Sequence, residues 1–297
     1  MTAMIEVREV TKRYGNKEVL KQVSFEIKEK EIFALLGPNG SGKTTILECI
    51  EGLRKYDEGQ IKLMGLNPEE AVKKGIVGIQ LQSSSLPENI CAKDAMSLFC
   101  MWKGISPRYD LLDAFGLKEI ENKQYKTMSI GQKRRLHLAL ALAHDPKILI
   151  LDEPTAGLDV EARAALHDQI RKLKQKGVTI VLASHDMAEV EVLCDRVAIL
   201  ADGQIKKIGT PAEIVLEVKR ENIIKVQADK RIDTLHFKYL QLQKRDNGYL
   251  YYKTDNLLQG LMELLNYIRN HNYELLDLSI DKPSLEERFI QIAKEGI

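Results

Sequence analysis

Residues 32–45 read IFALLGPNGSGKTT, five apolar residues followed by the pattern G-x-x-x-x-G-K-T. The apolar run predicts a strand buried on both faces of a parallel sheet, and the segment after the pattern predicts a helix. Glycines let successive backbone N–H groups turn toward an anion, and the helix N-terminus adds positive charge at the same point. The pattern therefore predicts a phosphate-binding loop, made of Gly37, Pro38, Asn39, Gly40, Ser41, Gly42, Lys43, Thr44 and Thr45.

A second apolar run, residues 148–151, ends in the acids Asp152 and Glu153. A buried strand that ends in paired carboxylates is costly unless a cation lies beside them. We expect Asp152 and the Thr44 hydroxyl to bind Mg²⁺, while Lys43 contacts the β- and γ-phosphates of ATP. Glu153 would orient or deprotonate the attacking water. Without the phosphate loop, the two acids could equally be ordinary charges at a strand end.

The remaining pattern predicts an α/β fold. Residues 148–151, 160–176 and 178–183 alternate as strand, helix and strand, which is typical of a crossover in a parallel sheet. Alternating apolar residues between positions 5 and 27 predict a small antiparallel layer. The first part of the segment 84–145 has no comparable strand pattern. We therefore expect this segment to form an inserted helical arm.

The pattern of apolar residues changes near residue 220, which predicts two domains. We expect the first to span residues 1–220 and a small α+β domain to span residues 221–297. In the second domain, Asp255 would cap a helix and residues 274–280 would form a strand. Ser284 would cap the last helix.

Composition excludes several classes of protein. The 297 residues include 44 Lys plus Arg and 43 Asp plus Glu, so the formal net charge is +1. No apolar run approaches the roughly 18–20 residues that span a bilayer, and the start lacks a secretory pattern. We expect a cytoplasmic protein with four reduced cysteines. A near-neutral charge also argues against a nucleic-acid partner, since phosphate backbones are bound by clustered Lys and Arg.

Further motifs, in the same order, resemble the ATP-binding subunits of ABC transporters over residues 1 to about 215. Tyr14 matches the aromatic residue that stacks on adenine. Gln82 matches the glutamine that senses Mg²⁺ and the attacking water, and His185 matches the switch histidine. The loop that crosses the dimer interface is matched by residues 156–159. The signature motif is matched by Met128, Ser129, Ile130, Gly131 and Gln132.

The resemblance implies a P-loop NTPase fold with a RecA-like parallel core, an antiparallel β subdomain and an inserted helical subdomain. It implies ATP and Mg²⁺ as ligands, with Gln82, Glu153 and His185 acting on the γ-phosphate and Gln82 also near the metal. It also implies a homodimer or heterodimer of ATPase subunits around two Mg-ATP. The residues that would contact the nucleotide bound to the partner are Ser129, Gly131, Gln132 and Asp159.

Each motif also has a plainer interpretation. Ser129 would cap a helix over residues 130–144, and the basic residues 133–135 could be a solvated helix face. His185 alone could be a satisfied strand-end histidine, and Tyr14 a surface tyrosine. Ile130 replaces the first glycine of the signature, and a β-branched residue adopts positive φ only at a cost. We expect activity to survive if the family geometry needs only the Ser129 hydroxyl and the Gly131 amide near the phosphate.

The end of the chain adds a finer resemblance. Residues 282–289, KPSLEERF, are similar to the ending of ATPases that serve ABC-2 type exporters. This implies a polytopic membrane permease as partner, a peripheral place on the inner face of the cell membrane, and export of a drug, lipid or polysaccharide. The alternatives are a soluble ABC-type switch acting on ribosomes or DNA, and a nucleotide-binding module without turnover.

Overall fold

The computed structural model describes residues 3–80, 85–216, 222–230, 232, 237–281 and 289. Contacts between Cα atoms divide the chain into two compact units, one ending at Pro211 and one beginning at Ala212. The domain boundary expected near residue 220 falls among residues 217–221, outside the described residues. Within the described chain, no helix is both long and apolar enough to cross a membrane.

The first unit contains two sheets and several helices. Its strands are, in chain order, β1 (Ala3–Tyr14), β2 (Lys17–Lys28), β3 (Ile32–Leu36), β4 (Glu58–Leu63), β5 (Val77–Gln80), β6 (Ile148–Asp152), β7 (Thr179–Ser184), β8 (Arg196–Ala201) and β9 (Gln204–Gly209). Its helices are α1 (Lys43–Ile50), α2 (Pro68–Lys73), α3 (Ala92–Trp102), α4 (Tyr109–Ala114), α5 (Ile130–Ala141), α6 (Val160–Gln175) and α7 (Met187–Leu193). Helix α8 (Pro211–Leu216) begins at the boundary between the units.

The larger sheet has the strand order β5-β6-β7-β3-β8-β9, and all its neighbours are parallel except β8 and β9. Strands β3, β6 and β7 are buried at every residue, as continuous apolar runs in a covered parallel sheet should be. The crossover from β6 through α6 to β7 is confirmed. Because parallel strands end at one edge of a sheet, the segments after β3, β6 and β7 lie side by side there.

The smaller sheet, β2-β1-β4, is antiparallel and confirms the predicted β layer. Its inward residues join β3 and α1 in one apolar core. The helical arm is also confirmed, since helices α3, α4 and α5 and two 3₁₀ turns occupy its described part. Helix α5 ends at Ala141, three residues earlier than expected, and Leu142 is its C-cap.

The second unit is a four-stranded antiparallel sheet with one described long helix. Its elements are β10 (Asn222–Ala228), β11 (Gln241–Asp246), β12 (Tyr249–Thr254), α9 (Leu257–Asn270) and β13 (Leu275–Asp281). The strand order is β11-β12-β10-β13, and a core that includes Val226, Tyr252 and Leu264 joins the sheet to α9. The expected cap Asp255 is wrong: Asn256 is the N-cap of α9, and its side chain accepts a hydrogen bond from the Gln259 N–H. Apart from Phe289, the expected helix after Ser284 and the motif at residues 282–289 lie outside the described residues.

Candidate functional site

The segment after β3 is a loop in which close packing requires two of the glycines, Gly37 and Gly42. Gly42 is the N-cap of α1 with φ 107°, and no side chain caps that helix. A Cβ atom at Gly42 would lie 2.8 Å from Leu20 Cδ2, and one at Gly37 would lie 2.3 Å from the Leu200 carbonyl oxygen. The loop before α1 is therefore tightly packed, and no side chain occupies the first amides of the helix. Such amides at a helix N-terminus can bind an anion.

Lys43 is folded back over this loop. Its Nζ donates to the carbonyl oxygens of Gly37, at 2.6 Å, and Pro38, at 3.2 Å. Burial lowers the pKa of Lys43, and the carboxylates of Glu153 and Asp152 oppose that shift. The ammonium group is therefore buried among carbonyl oxygens, where a phosphate would be a stronger partner than either carbonyl.

Asp152 and Glu153 stand at the adjoining strand end. Asp152 is the last residue of β6 and is 8% exposed. Burial raises the pKa of Asp152, and Glu153 raises it further, while Lys43 opposes the rise. A buried carboxylate beside a second carboxylate, with the Thr44 hydroxyl lining the same cavity, is an oxygen donor set that suits Mg²⁺.

Glu153 is brought against His185 by the parallel sheet. The backbone of Glu153 has φ 49°, and its N–H donates to the Ala183 carbonyl oxygen at 2.9 Å. Its carboxylate lies 2.7 Å from Nδ1 of His185, which follows the neighbouring strand β7. The side chain of His185 is 68% exposed, so its ring stands at the rim of the site.

Lys43, Asp152 and Glu153 line a cavity of about 470 Å³. Tyr14 lines the same cavity and is 43% exposed, with the Arg54 guanidinium 5.3 Å from its ring centre. Sequence reasoning missed Arg54 and Glu48, which form an ion pair at its wall. Glu48 is four residues after Thr44 on α1, so helical spacing from the loop was the signal for it. The residues predicted for the site that line this cavity are Tyr14, Asn39, Gly40, Gly42, Lys43, Thr44, Thr45, Asp152 and Glu153.

Three residues of the signature, Ser129, Ile130 and Gly131, line a different cavity of about 460 Å³, which shares no lining residue with the first. Ser129 is the N-cap of α5, and it forms a reciprocal capping box with Gln132. Asp159, at the opposite wall, caps α6 by accepting from the Ala162 N–H at 2.8 Å. Within one chain, the phosphate loop and the signature therefore do not meet.

Ile130 causes no backbone strain in this cavity. It is the first residue of α5 and is absent from the positive-φ residues of the described chain. Its side chain is 56% exposed, and Gly131 next to it packs close to Ala162. Two members of the basic run, Arg134 and Arg135, line the cavity together with Ser129. Gln82 lies outside the described residues.

Comparison with known proteins identifies the family. Residues 20–156 match the ABC transporter family. The linearmycin resistance ATP-binding protein LnrL of Bacillus subtilis is 30% identical, over 97% of this chain and 98% of LnrL. This chain belongs to the ATP-binding subunits of ABC transporters. Its LnrL match must include most of the second unit as well as the first, because it leaves only 3% of the chain uncovered.

Two other ABC ATP-binding subunits match a smaller share of the chain. The Nod factor export ATP-binding protein I of Rhizobium etli is 37% identical, over 76% of this chain and 74% of that protein. The spermidine/putrescine import ATP-binding protein PotA of Mycoplasma mycoides is also 37% identical, over 72% of this chain and 63% of PotA. Identity over the ABC cassette is thus similar for a protein named for export and one named for import.

A solved structure supports the same assignment. A dimeric ATP-binding cassette bound to ADP and Pi, MJ0796, matches with a TM-score of 0.63 and 28% identity, over 70% of this chain and 98% of that one. The α/β P-loop NTPase fold predicted from the sequence is therefore confirmed. The chain is an ATP-binding ATPase of an ABC transporter, a family whose ATP-binding subunits dimerise and work with membrane permease subunits.

Proposed function

We propose that two copies of this subunit, or one copy and a close relative, enclose two ATP molecules and drive an ABC-2 type permease that exports its substrate. The observation that carries this proposal is the separation of the two cavities. One contains the phosphate loop and both acids, and the other contains Ser129, Gly131 and Asp159. Each cavity is half of a nucleotide site, so a second subunit would complete it.

In the hydrolysis step, Glu153 directs a water molecule in line at the γ-phosphate. His185 Nδ1 lies 2.7 Å from the Glu153 carboxylate, so the imidazole fixes the orientation of that base. Lys43 takes up charge on the transferred phosphate, and the amides of the loop bind the phosphates that remain. Tyr14 stacks on adenine at the outer end of the cavity.

Mg²⁺ would be bound by the Thr44 hydroxyl and the Asp152 carboxylate, together with Gln82. When bound, it supplies positive charge to the β- and γ-phosphate oxygens. The raised pKa of Asp152, caused first by burial, supports this assignment, since a cation would offset the cost of the buried charge.

The partner subunit's contribution comes from the second cavity. The N-terminal amides of α5, capped by Ser129, and the side chains of Arg134 and Arg135 suit a phosphate of the nucleotide bound to the other copy. ATP binds the closed dimer preferentially because only that state makes both sets of contacts. Loss of phosphate then loosens the interface.

The test of the site is Glu153→Gln. The amide cannot serve as a base, so we expect an ATP-bound dimer that elutes as twice the monomer mass and releases little phosphate. Glu69→Gln, an exposed acid outside both cavities, is the control and should behave as the natural protein does. A normal rate of phosphate release from Glu153→Gln would exclude Glu153 from the proposed role.

The proposal that the subunit serves an exporter rests on the resemblance of residues 282–289, since the relatives at 37% identity include both an export and an import protein. Its first test is whether a neighbouring gene encodes a multi-span membrane protein, and the second is reconstitution with that protein. ATP-dependent movement of a solute away from the ATPase side supports export, and movement toward that side contradicts it. Co-sedimentation with ribosomes, without any membrane partner, would favour the soluble switch instead.

A further inference from the structure

The loop that contains His185 is fixed by polar side chains outside both cavities. Strand β7 ends at Ser184, and helix α7 begins at Met187. The His185 side chain between them is 68% exposed, so packing around the ring does not set its position. The backbone on either side of His185 must therefore do so.

A single hydroxyl group connects the residues that flank His185. Ser184 is fully buried, and its Oγ donates to Glu189 Oε2 at 2.6 Å. The same oxygen accepts a hydrogen bond from the Asp186 N–H at 3.0 Å. The residue before His185, the residue after it and the first turn of α7 are thus joined at one atom.

The acceptor of that hydroxyl is a buried carboxylate. Glu189 is 1% exposed, and its second oxygen lies 3.3 Å from Nε2 of His167 on α6. Asp186 already caps α7 by accepting from the Glu189 N–H, so the helix does not need a second acid for its N-terminus. Burying a carboxylate costs free energy that an apolar side chain would avoid. The presence of Glu189 at this buried position is therefore better explained by its hydrogen bond with Ser184 than by a gain in stability.

Helix α6 contacts the same loop a second time. Arg163 Nη1 lies 3.0 Å from Asp186 Oδ2, one residue beyond His185. Arg163 and His167 are four residues apart, so they lie on one face of α6. Two side chains of this helix therefore support the loop, one through Asp186 and one through Glu189.

We propose that Glu189 and Ser184 are positioning residues for ATP hydrolysis, which fix the His185 backbone so that its imidazole meets the Glu153 carboxylate. The inference rests on the proposed roles of Glu153 and His185. Neither Ser184 nor Glu189 touches the nucleotide in this assignment. A displacement of about 1 Å at a reacting group can lower a rate about 100-fold, so a small shift of this loop is enough to affect turnover.

The test compares two hydroxyls on one strand. Ser184→Ala removes the hydroxyl at the end of β7, and Thr179→Val removes a buried one at its start, where Thr179 Oγ1 accepts from the Lys30 N–H. We expect Ser184→Ala and Glu189→Leu to lower kcat for ATP about tenfold or more, with KM unchanged within about twofold. Thr179→Val should lose stability but not kcat. The conservative variants Ser184→Thr and Glu189→Gln, which keep a donor and an acceptor, should retain most of kcat.

A spectroscopic measurement separates positioning from folding. The chain has six histidines, and His185→Ala assigns the imidazole signal of His185 in ¹⁵N spectra. In Ser184→Ala, the ¹⁵N chemical shift of His185 Nδ1 should move away from the value of a hydrogen-bonded nitrogen. In Thr179→Val, that chemical shift should not change. An unchanged His185 signal in Ser184→Ala, with kcat equal to that of Thr179→Val, would overturn the proposal.

The roles of Glu153 and His185 can be tested separately from the positioning role of Ser184 and Glu189. If Glu153→Gln and His185→Ala hydrolyse ATP at the natural rate, the proposed roles of those residues are wrong, and the positioning role is wrong with them. If both variants abolish turnover while Ser184→Ala and Glu189→Leu match Thr179→Val, the site assignment stands and the positioning role alone is overturned.

Discussion

Glu51, which follows α1, shows how one buried side chain links stability to pH. It is 2% exposed, and its Oε1 has no hydrogen-bond partner among the described residues. Burial raises its pKa to about 7, with smaller contributions from Asp152 and Glu48. The folded protein therefore retains a proton on Glu51 that the unfolded chain releases near pH 4.5. The stability due to this group is present below pH 4.5 and is lost as pH rises through about 7.

Glu51→Gln should remove that dependence, because the amide stays neutral. In nucleotide-free protein, we expect the variant to gain up to about 3 kcal/mol of unfolding free energy over the natural protein between pH 4 and pH 8. Urea denaturation at a series of pH values measures the difference. Glu69→Gln, at an exposed position, should follow the natural profile. Parallel profiles for Glu51→Gln and the natural protein would mean that Glu51 ionises normally.

At the scale of the element, the start of α9 shows why neighbouring capping residues are easily confused. Asp255 and Asn256 are both good N-caps by residue type. The structure selects Asn256, whose Oδ1 accepts from the Gln259 N–H at 3.2 Å, while its own N–H donates to the Thr254 hydroxyl. The end of β12 therefore sets the first turn of the helix, which composition alone does not reveal.

Replacing each candidate cap separately tests this assignment. Asn256→Ala should destabilise α9 by about 1 kcal/mol, because the Gln259 N–H loses its acceptor. Asp255→Ala should change stability by less than about 0.5 kcal/mol, as an exposed residue outside the cap does. Hydrogen exchange of the α9 amides, followed by mass spectrometry, measures both. Faster exchange in Asp255→Ala than in Asn256→Ala would reverse the assignment.

At the scale of the whole molecule, two units with separate cores can respond separately to nucleotide. The phosphate loop, both acids and the signature all lie in the first unit, and so does Trp102, the single tryptophan of the chain. No described residue of the second unit lines either cavity. Tryptophan fluorescence therefore reports on the unit that binds ATP.

Nucleotide should stabilise the first unit alone. With Glu153→Gln to prevent hydrolysis, Mg-ATP at 100 times its Kd should add about 2.7 kcal/mol to the unfolding free energy reported by Trp102. Calorimetry should show one transition that moves with ATP and one that does not. A single transition that moves as a whole would show that the two units unfold together.

Some elements were predictable because their signals are local. Strands β3, β6 and β7 are apolar runs, and the helical arm begins where comparable strand patterns are lacking. Strand β5 was not predicted, since Val77–Gln80 is short and contains a glycine. Its pairing with β6 makes it a strand, and that pairing joins residues about seventy positions apart.

From the sequence alone came the phosphate loop, the acids at the end of β6 and the family, because each depends on residue types at fixed short spacing. Only the tertiary structure decided which groups meet. The contact of Glu153 with His185, the bond from Ser184 to Glu189 and the separation of the two cavities depend on sheet order and helix packing. Such distances arise from burial of the whole core, and no short stretch of sequence specifies them.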